Sequence, residues 1–466
     1  MQDSNRYDLA VIGSGPAGQK GAIAAANLGK RVALIDRDDM IGGVSVHSGT
    51  IPSKTIREAI LYLTGFRQRA FHGAGETLRA NISIAELAHR VNAVVERETT
   101  VVQEQLRRSG IAILHGAARF LDPHHLEIQS GARRQVITAG HVLIACGTRP
   151  ARDPKIPIDG KRVLLADQLV DLEKIPHDAI VVGAGVIGLE YASMFAALGV
   201  AVTIVEPRPA ILDFVDDEIV ASLRDHMQRQ GTTFRLGEKV TRVGVDEGRR
   251  VRANLESGES LTAEVLLHTV GRQSNADTLH LQAAGLAADA RGRIPVTENY
   301  QTAVPHIYAA GDVIGFPALA ATSMEQGRLA SYHMFGRPWE RRQLLPYGIY
   351  TVPEIAMIGR TERQLASAAV PYVAGIARYA DLARGQIAGD RSGLLKLLFH
   401  PESLEVLGVH VIGDNAAEIV HIGQSVIALG GTVEYFRDTV FNYPTYAEAY
   451  KVAAQDGLSR LPRPGV

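Results

Sequence analysis

The feature that most constrains this chain is a glycine-containing unit that occurs twice. Gly13, Gly15, Gly18, Leu28, Gly29, Val32 and Asp36 are matched by Gly183, Gly185, Gly188, Leu198, Gly199, Val202 and Glu206, each 170 residues later. In the first copy, Tyr7 to Ile12 is a short apolar run rich in β-branched residues and is predicted as a strand. Gly13-Ser14-Gly15-Pro16-Ala17-Gly18 follows as a turn, then an alanine-rich helix to Leu28 and a second strand, Arg31 to Ile35, ending in Asp36. In the second copy, Ala179 to Val182 is the strand, Gly183 to Gly188 the turn, Leu189 to Leu198 the helix, and Val200 to Val205 the strand closed by Glu206. Each copy forms a dinucleotide-binding βαβ fingerprint. The first glycine allows the tight turn, the second lets the backbone approach a pyrophosphate, and the third allows close helix–strand packing. The helix N-terminus offers N–H groups and a favourable dipole to the phosphates. Asp36 is placed to accept a hydrogen bond from a ribose 2′-hydroxyl, and Glu206 from that of a second nucleotide. The predicted fold class is α/β with two Rossmann-like dinucleotide-binding domains. Two such units imply two nucleotide sites, and electron transfer between two dinucleotides is the economical reading.

Composition narrows the function further. With 49 basic and 50 acidic residues the net charge is -1, and no basic run stands out, so nucleic acid is not an expected partner. The most apolar window, Ala179 to Val205, is interrupted by Glu190 and four glycines and belongs to the repeated unit, so it reads as buried structure rather than a membrane span. Met1 to Asp8 is polar and runs straight into a strand, without the pattern of a signal peptide. A cytoplasmic, membrane-free protein is expected. The chain has one cysteine, Cys146, so it can form no intrachain disulfide. Cys146 ends an apolar strand and is expected to be a buried, inert thiol. No metal site is expected.

Between the two units lies Gly42-Gly43-Val44-Ser45-Val46-His47-Ser48-Gly49-Thr50-Ile51-Pro52-Ser53-Lys54. It resembles the redox-active segment of the FAD-dependent pyridine nucleotide-disulfide oxidoreductases, whose pattern is GG-x-C-x4-C-I-P-S-K. Ser45 and Thr50 stand at the two cysteine positions, and a hydroxyl cannot be oxidised to a disulfide. The resemblance extends along the chain. Asn81 to Leu106 reads as a long helix, and Val142 to Pro150 resembles the family's hinge strand, with Cys146 where Thr is usual. Val265 to Val270 leads into Gly271-Arg272-Gln273-Ser274-Asn275, similar to the family's return crossing. Ile307-Tyr308-Ala309-Ala310-Gly311-Asp312-Val313 resembles its second FAD fingerprint, with a helix near Met324 to His333. From about Arg341 the chain resembles the α+β interface domain, with strands at Gly393 to His400 and Val406 to Ile412 and a helix at Ala416 to Leu429. The expected segments are 1–150 and 272–340 for FAD, 151–271 for NAD(P), and 341–466 for an interface domain that implies a homodimer or larger homo-oligomer.

The resemblance implies the cofactors FAD, NAD and NADP. With the two fingerprints, Gly43, Thr50, Lys54, Gly147, Gly271, Gly311 and Asp312 complete the expected cofactor-binding set. Asp312 corresponds to the acid that binds the ribityl chain of FAD. Lys54 and Glu190 correspond to an ion pair beside flavin N5 and are the expected catalytic residues. A fixed cation there stabilises negative charge arriving with hydride, and the carboxylate keeps the lysine positioned. At the other end Phe441-Asn442-Tyr443-Pro444-Thr445-Tyr446-Ala447-Glu448 resembles H-x-H-P-T-x-x-E, with Tyr443 in place of the acid–base histidine. A phenol with a pKa near 10 cannot serve thiols at neutral pH. Tyr443, Tyr446 and Tyr450 are expected to pack at a dimer interface, and His47 to have a structural or solvated role.

Thiols and base are thus missing together while every nucleotide motif remains. Gly49 to Lys54 and Phe441 to Tyr450 resemble the G-T-I-P-S-K and F-N-Y-P-T-x-A-E-A-Y patterns of the soluble, Si-specific transhydrogenase group of this family. That resemblance implies ping-pong hydride transfer: NADPH reduces FAD at N5, NADP+ leaves, and NAD+ enters and takes the hydride. Glu206 by itself favours NAD(H) over NADP(H), and Arg208 is positioned to offset this. The alternatives are an NAD(P)H:quinone reductase or diaphorase, and a non-catalytic nucleotide-sensing flavoprotein. A disulfide, mercuric or lipoamide reductase is excluded for the chain acting alone.

Overall fold

The computed structural model describes residues 5–37, 40–65, 83–246, 248–339 and 344–462. The chain divides into two units, and each is a layered α/β structure. The first comprises Met1–Ile56, Ala88–Ala151 and Gly271–Arg341. Its sheet has the order Ala112–His115, Val32–Asp36, Arg6–Ile12, Arg133–Ile144, His125–Ser130, Ala117–Phe120, with Ile307–Ala309 also paired to Arg133–Ile144. The strands around Arg6–Ile12 run parallel, and the last two run antiparallel. Parallel strands covered on both faces read as continuous apolar runs. Leu9 to Ile12, Val32 to Ile35 and Val142 to Ile144 are accordingly all buried.

Helices Pro16–Asn27 and Ala320–Met334 cross on this unit at very close range. A Cβ added at Gly327 would overlap the carbonyl oxygen of Ala17, and Ser331 Oγ donates to the carbonyl of Gly21 at 2.8 Å. The second of these helices starts four residues before the expected Met324. Ala320 to Ser323 carries neither apolar periodicity nor a side-chain cap, so the sequence does not announce the start. The helix expected from Asn81 runs from Ile84 to Arg108, and residues 81 and 82 lie outside the described residues.

The second unit comprises Arg57–Leu87, Arg152–Val270 and Arg342–Val466. It holds a parallel sheet in the order Thr233–Leu236, Ala201–Glu206, Asp178–Val182, Val265–His268, Val163–Leu165. It also holds an antiparallel sheet in the order Tyr347–Ile349, Ile355–Gly359, Val406–Ile412, Leu394–Phe399, Val373–Arg378. Lys396 sits inside the apolar run Leu394–Phe399 at 2% exposure. Burial opposes its charge, but Glu362 at 2.6 Å and Asp216 at 3.0 Å outweigh this and raise its pKa.

Among the described residues no helix is long and apolar enough to cross a membrane, and the window Ala179 to Val205 is strand, turn, helix and strand. One expectation is corrected. Tyr446 and Tyr450 do not present a dimer surface but fill the core of the antiparallel-sheet region. Tyr446 stacks on Tyr379 at 4.4 Å; Tyr450 stacks on Phe436 at 4.6 Å and donates to the carbonyl of Ile419 at 2.8 Å. Only Tyr443 is exposed, at 71%.

The helix crossing yields a stability prediction. Gly327→Ala should destabilise the protein by about 2 kcal/mol or more, because backbone must move to admit the methyl group. Gly244→Ala, on an open strand position, should stay within about 0.5 kcal/mol. Comparing the denaturation midpoints of the two variants checks this.

Candidate functional site: two dinucleotide turns

The first turn is shaped by what cannot fit there. Gly13 has φ +104°, and a Cβ at Gly18 would overlap the carbonyl oxygen of Gly13. Gly15 is the opposite case: nothing lies within 4 Å of the position its Cβ would take. No side chain caps the helix that starts at Pro16, so its first N–H groups remain available to an anion. Asp36 Oδ2 accepts from both the N–H and the Oγ–H of Ser14 at 2.6 Å, and Oδ1 accepts from the N–H of Arg37 at 2.8 Å. Ser14 Oγ in turn accepts from the N–H of Gly42 at 2.9 Å. A Cβ on Gly43 would stand 2.8 Å from Gly15 Cα, so this glycine pair is packed against the turn. Ser14 was not singled out in the sequence. The available signal is that the second repeat has Ala184 at the same position.

Beyond the turn, Thr50 opens the helix Thr50–Leu63, and Lys54 Nζ donates to Ser53 Oγ at 3.2 Å. The His47 ring is 2.9 Å from the carbonyl of Ile41, a structural tie that answers the expectation for it. Asp312 Oδ2 accepts from Thr148 Oγ1 at 3.1 Å, while Arg272 Nε donates to that Oγ1 at 2.7 Å. Gly311 has φ +83° and donates its N–H to Gln326 Oε1 at 2.8 Å. Gly147 has φ +65° with open space on its Cβ side. The carbonyl of Gly271 accepts from the N–H of Ala151 at 3.1 Å. Cys146, beside Gly147, is partly rather than fully buried, which corrects the expected burial, and desolvation pushes its thiol up to about 12.

The second turn repeats the arrangement. Gly183 has φ +102°, a Cβ on Gly188 would overlap the carbonyl oxygen of Gly183, and Gly185 again faces open space. Glu206 Oε2 accepts from the N–H of Ala184 at 2.8 Å, the counterpart of Asp36 with Ser14. The difference is Arg208. Its Nε donates to Glu206 Oε1 at 2.8 Å and its Nη2 to Oε2 at 3.3 Å. Burial disfavours the Glu206 carboxylate, but the bonds from Arg208 and Ala184 outweigh it and hold the carboxyl below its usual range.

Glu190 lies on the helix Val186–Ala197 at 4% exposure, and its Oε1 accepts from the N–H of Tyr350 at 2.9 Å. Burial, reinforced by the Glu190 charge, pushes the Tyr347 hydroxyl up to about 12. Lys54 belongs to the first unit and Glu190 to the second. Among the described residues no group of three His, Cys, Asp or Glu side chains could hold a metal ion.

Each turn therefore fits a dinucleotide. An open glycine face and an uncapped helix start suit a pyrophosphate, and an acid ends the following strand where a ribose would lie. Residues 7–327 match the family described as pyridine nucleotide-disulphide oxidoreductase, and residues 345–454 match its dimerisation domain. The chain belongs to the pyridine nucleotide-disulphide oxidoreductase family. A soluble pyridine nucleotide transhydrogenase of Mycobacterium bovis is 52% identical over 458 residues, covering 98% of each chain. One of Klebsiella pneumoniae is 42% identical over 468 residues, covering 99% of this chain and 100% of its own. Among solved structures, LpdA from Mycobacterium tuberculosis superposes with a TM-score of 0.89 at 26% identity, covering 97% of this chain and 99% of its own. The flavoprotein disulfide reductase RclA from Escherichia coli gives 0.86 at 26% identity, covering 96% and 99%.

The chain has one cysteine and so no dithiol of its own, and desolvation disfavours the thiolate of Cys146. Native protein at pH 8 should show no rapidly reacting thiol toward a disulfide reagent such as dithiobisnitrobenzoate, and one thiol per chain after unfolding. A fast-reacting native thiol would contradict the environment described for Cys146.

Proposed function

We propose that the chain is an FAD-dependent NAD(P)+ transhydrogenase that moves hydride between NADPH and NAD+. The observation that carries this reading is the pair of intact dinucleotide turns in a member of a dithiol family that has Ser45, Thr50 and Tyr443 at the thiol and base positions. The names of the relatives at 52% and 42% identity support it. In this reading the protein works as a cytoplasmic homodimer, and the two nucleotides use the Gly183–Gly188 turn one after the other. A bound flavin would supply the hydride acceptor and donor.

The chain's own residues bind and orient. Gly13, Gly15, Gly18 and Asp36 hold the flavin nucleotide's adenosine diphosphate end, with Gly43, Thr50, Gly147, Gly311 and Asp312 along the rest of it. Lys54 contributes a fixed positive charge where negative charge arrives with hydride, and Glu190 a buried carboxylate of fixed orientation on the nicotinamide side. Gly183, Gly185, Gly188, Glu206, Arg208 and Gly271 serve NAD(H) and NADP(H).

The direct test is anaerobic. NADPH is mixed with the flavin-loaded protein, and an NAD+ analogue with a separately absorbing reduced form is then added. Catalytic reduction of the analogue without a third substrate is expected. Bleaching without transfer would favour a quinone reductase, and no bleaching a nucleotide-sensing protein.

Dual nucleotide use supplies a second prediction. Arg208→Ala removes a phosphate partner and leaves the Glu206 charge uncompensated against a 2′-phosphate. It should lower kcat/KM for NADPH by about tenfold to a hundredfold, the range of a charged hydrogen bond, and change that for NADH by less than about threefold. Equal loss for both would remove Arg208 from nucleotide selection.

A further inference from the structure

Glu190 is a nearly buried carboxylate on a helix that is otherwise almost entirely apolar, Val186–Ala197. A buried carboxylate keeps one orientation only where its partners are themselves fixed. One of its partners is the backbone N–H of Tyr350, in a segment 160 residues away. Two residues along, the N–H of Val352 donates to Ser193 Oγ at 3.0 Å. The same Oγ donates to the carbonyl oxygen of Glu190 at 2.8 Å. Ser193 has no exposure, so its hydroxyl serves no solvent role. The far side of the segment is pinned as well. Arg57 Nε donates to the carbonyl of Thr351 at 3.1 Å, and Arg57 Nη2 pairs with Glu354 Oε2 at 3.1 Å. Alternate N–H groups of one segment therefore reach one helix, the first through Glu190 and the second through Ser193.

We infer that Ser193 is a positioning residue for Glu190: it sets the register in which the Tyr350 N–H meets the Glu190 carboxylate, and so fixes where that carboxylate stands. The inference rests on the proposed role of Glu190 in hydride transfer. Ser193→Ala leaves the Val352 N–H without its acceptor, so that on this side the stretch keeps only the Tyr350 bond to fix its register, while the adenosine end of the nucleotide site keeps all its groups.

The test is a double-mutant cycle on the flavin-loaded protein with Ser193→Ala, Glu190→Gln and both together, read by single-turnover reduction with NADPH and by amide hydrogen exchange. Ser193→Ala should slow hydride transfer about five- to tenfold. It should leave NADPH affinity within about twofold and speed exchange at Tyr350 and Val352. In the Glu190→Gln background the same change should slow transfer by less than about twofold. Ser193→Cys, similar in size with a weaker acceptor, should fall between serine and alanine, which separates positioning from a folding defect. Equal slowing in both backgrounds, or unchanged exchange at Tyr350 and Val352, would overturn the inference. If Glu190→Gln alone transfers hydride at the unmutated rate, the role of Glu190 fails instead, and exchange still reports whether Ser193 sets the register.

Discussion

The structure depends first on a steric constraint at its two glycine turns. Each helix start is packed so close to the preceding carbonyl, Gly18 on Gly13 and Gly188 on Gly183, that no side chain fits between them. This approach brings the helix start directly after the strand end and leaves the middle glycine of each turn facing open space. The acid at the end of the next strand then has two tasks. Asp36 and Glu206 each accept a turn N–H, from Ser14 and Ala184, so the carboxylate that would meet a ribose also braces the turn. A change at either acid therefore acts on turn geometry as well as on ligand contact.

The two copies differ in how that acid is compensated. Asp36 is satisfied by neutral groups, the N–H and hydroxyl of Ser14 and the N–H of Arg37. Glu206 has a guanidinium across both of its oxygens. A carboxylate held by neutral donors keeps its full charge and repels a phosphate placed beside it. One shared with arginine presents a nearly neutral pair whose cation has further donors to give. In the proposed reading the same scaffold would thus offer a strict 2′-hydroxyl site in the first unit and a permissive one in the second.

Much of this was legible in the sequence because the determinants are local. Glycine spacing, the apolar runs on either side and the terminal acid all lie within about thirty residues, the length of a βαβ unit. The Ala320 helix start, by contrast, has no side-chain cap, and the close crossing of that helix at Gly327 and Ala17 joins segments that no short-range pattern connects. Ser14, Ser193 and the Tyr350 N–H escaped notice for the same reason: their roles lie in partners 22 to 160 residues away. The misreading of Tyr446 and Tyr450 came from treating a tyrosine-rich run as surface, whereas its spacing turns those two rings into the core and leaves Tyr443 outside. Lys396 was equally hidden, a charge inside an apolar strand whose three acidic neighbours come from distant segments.

The retained and missing groups can be understood together through electron bookkeeping. A dithiol lets a protein store two electrons in its own covalent structure and hand them to a substrate that never meets the nicotinamide site. This chain has one cysteine and can form no intrachain disulfide, so it offers no such store. A thiol-serving base would then have nothing to protonate, and Tyr443 at that position is a solvent-exposed phenol. In the proposed reading, with no store in the protein, a hydride delivered by one nucleotide leaves on an acceptor that can approach the same place. A second nucleotide held by the same turn would meet that requirement without any new binding element, and the Glu206–Arg208 pair would be the chemistry such sharing needs.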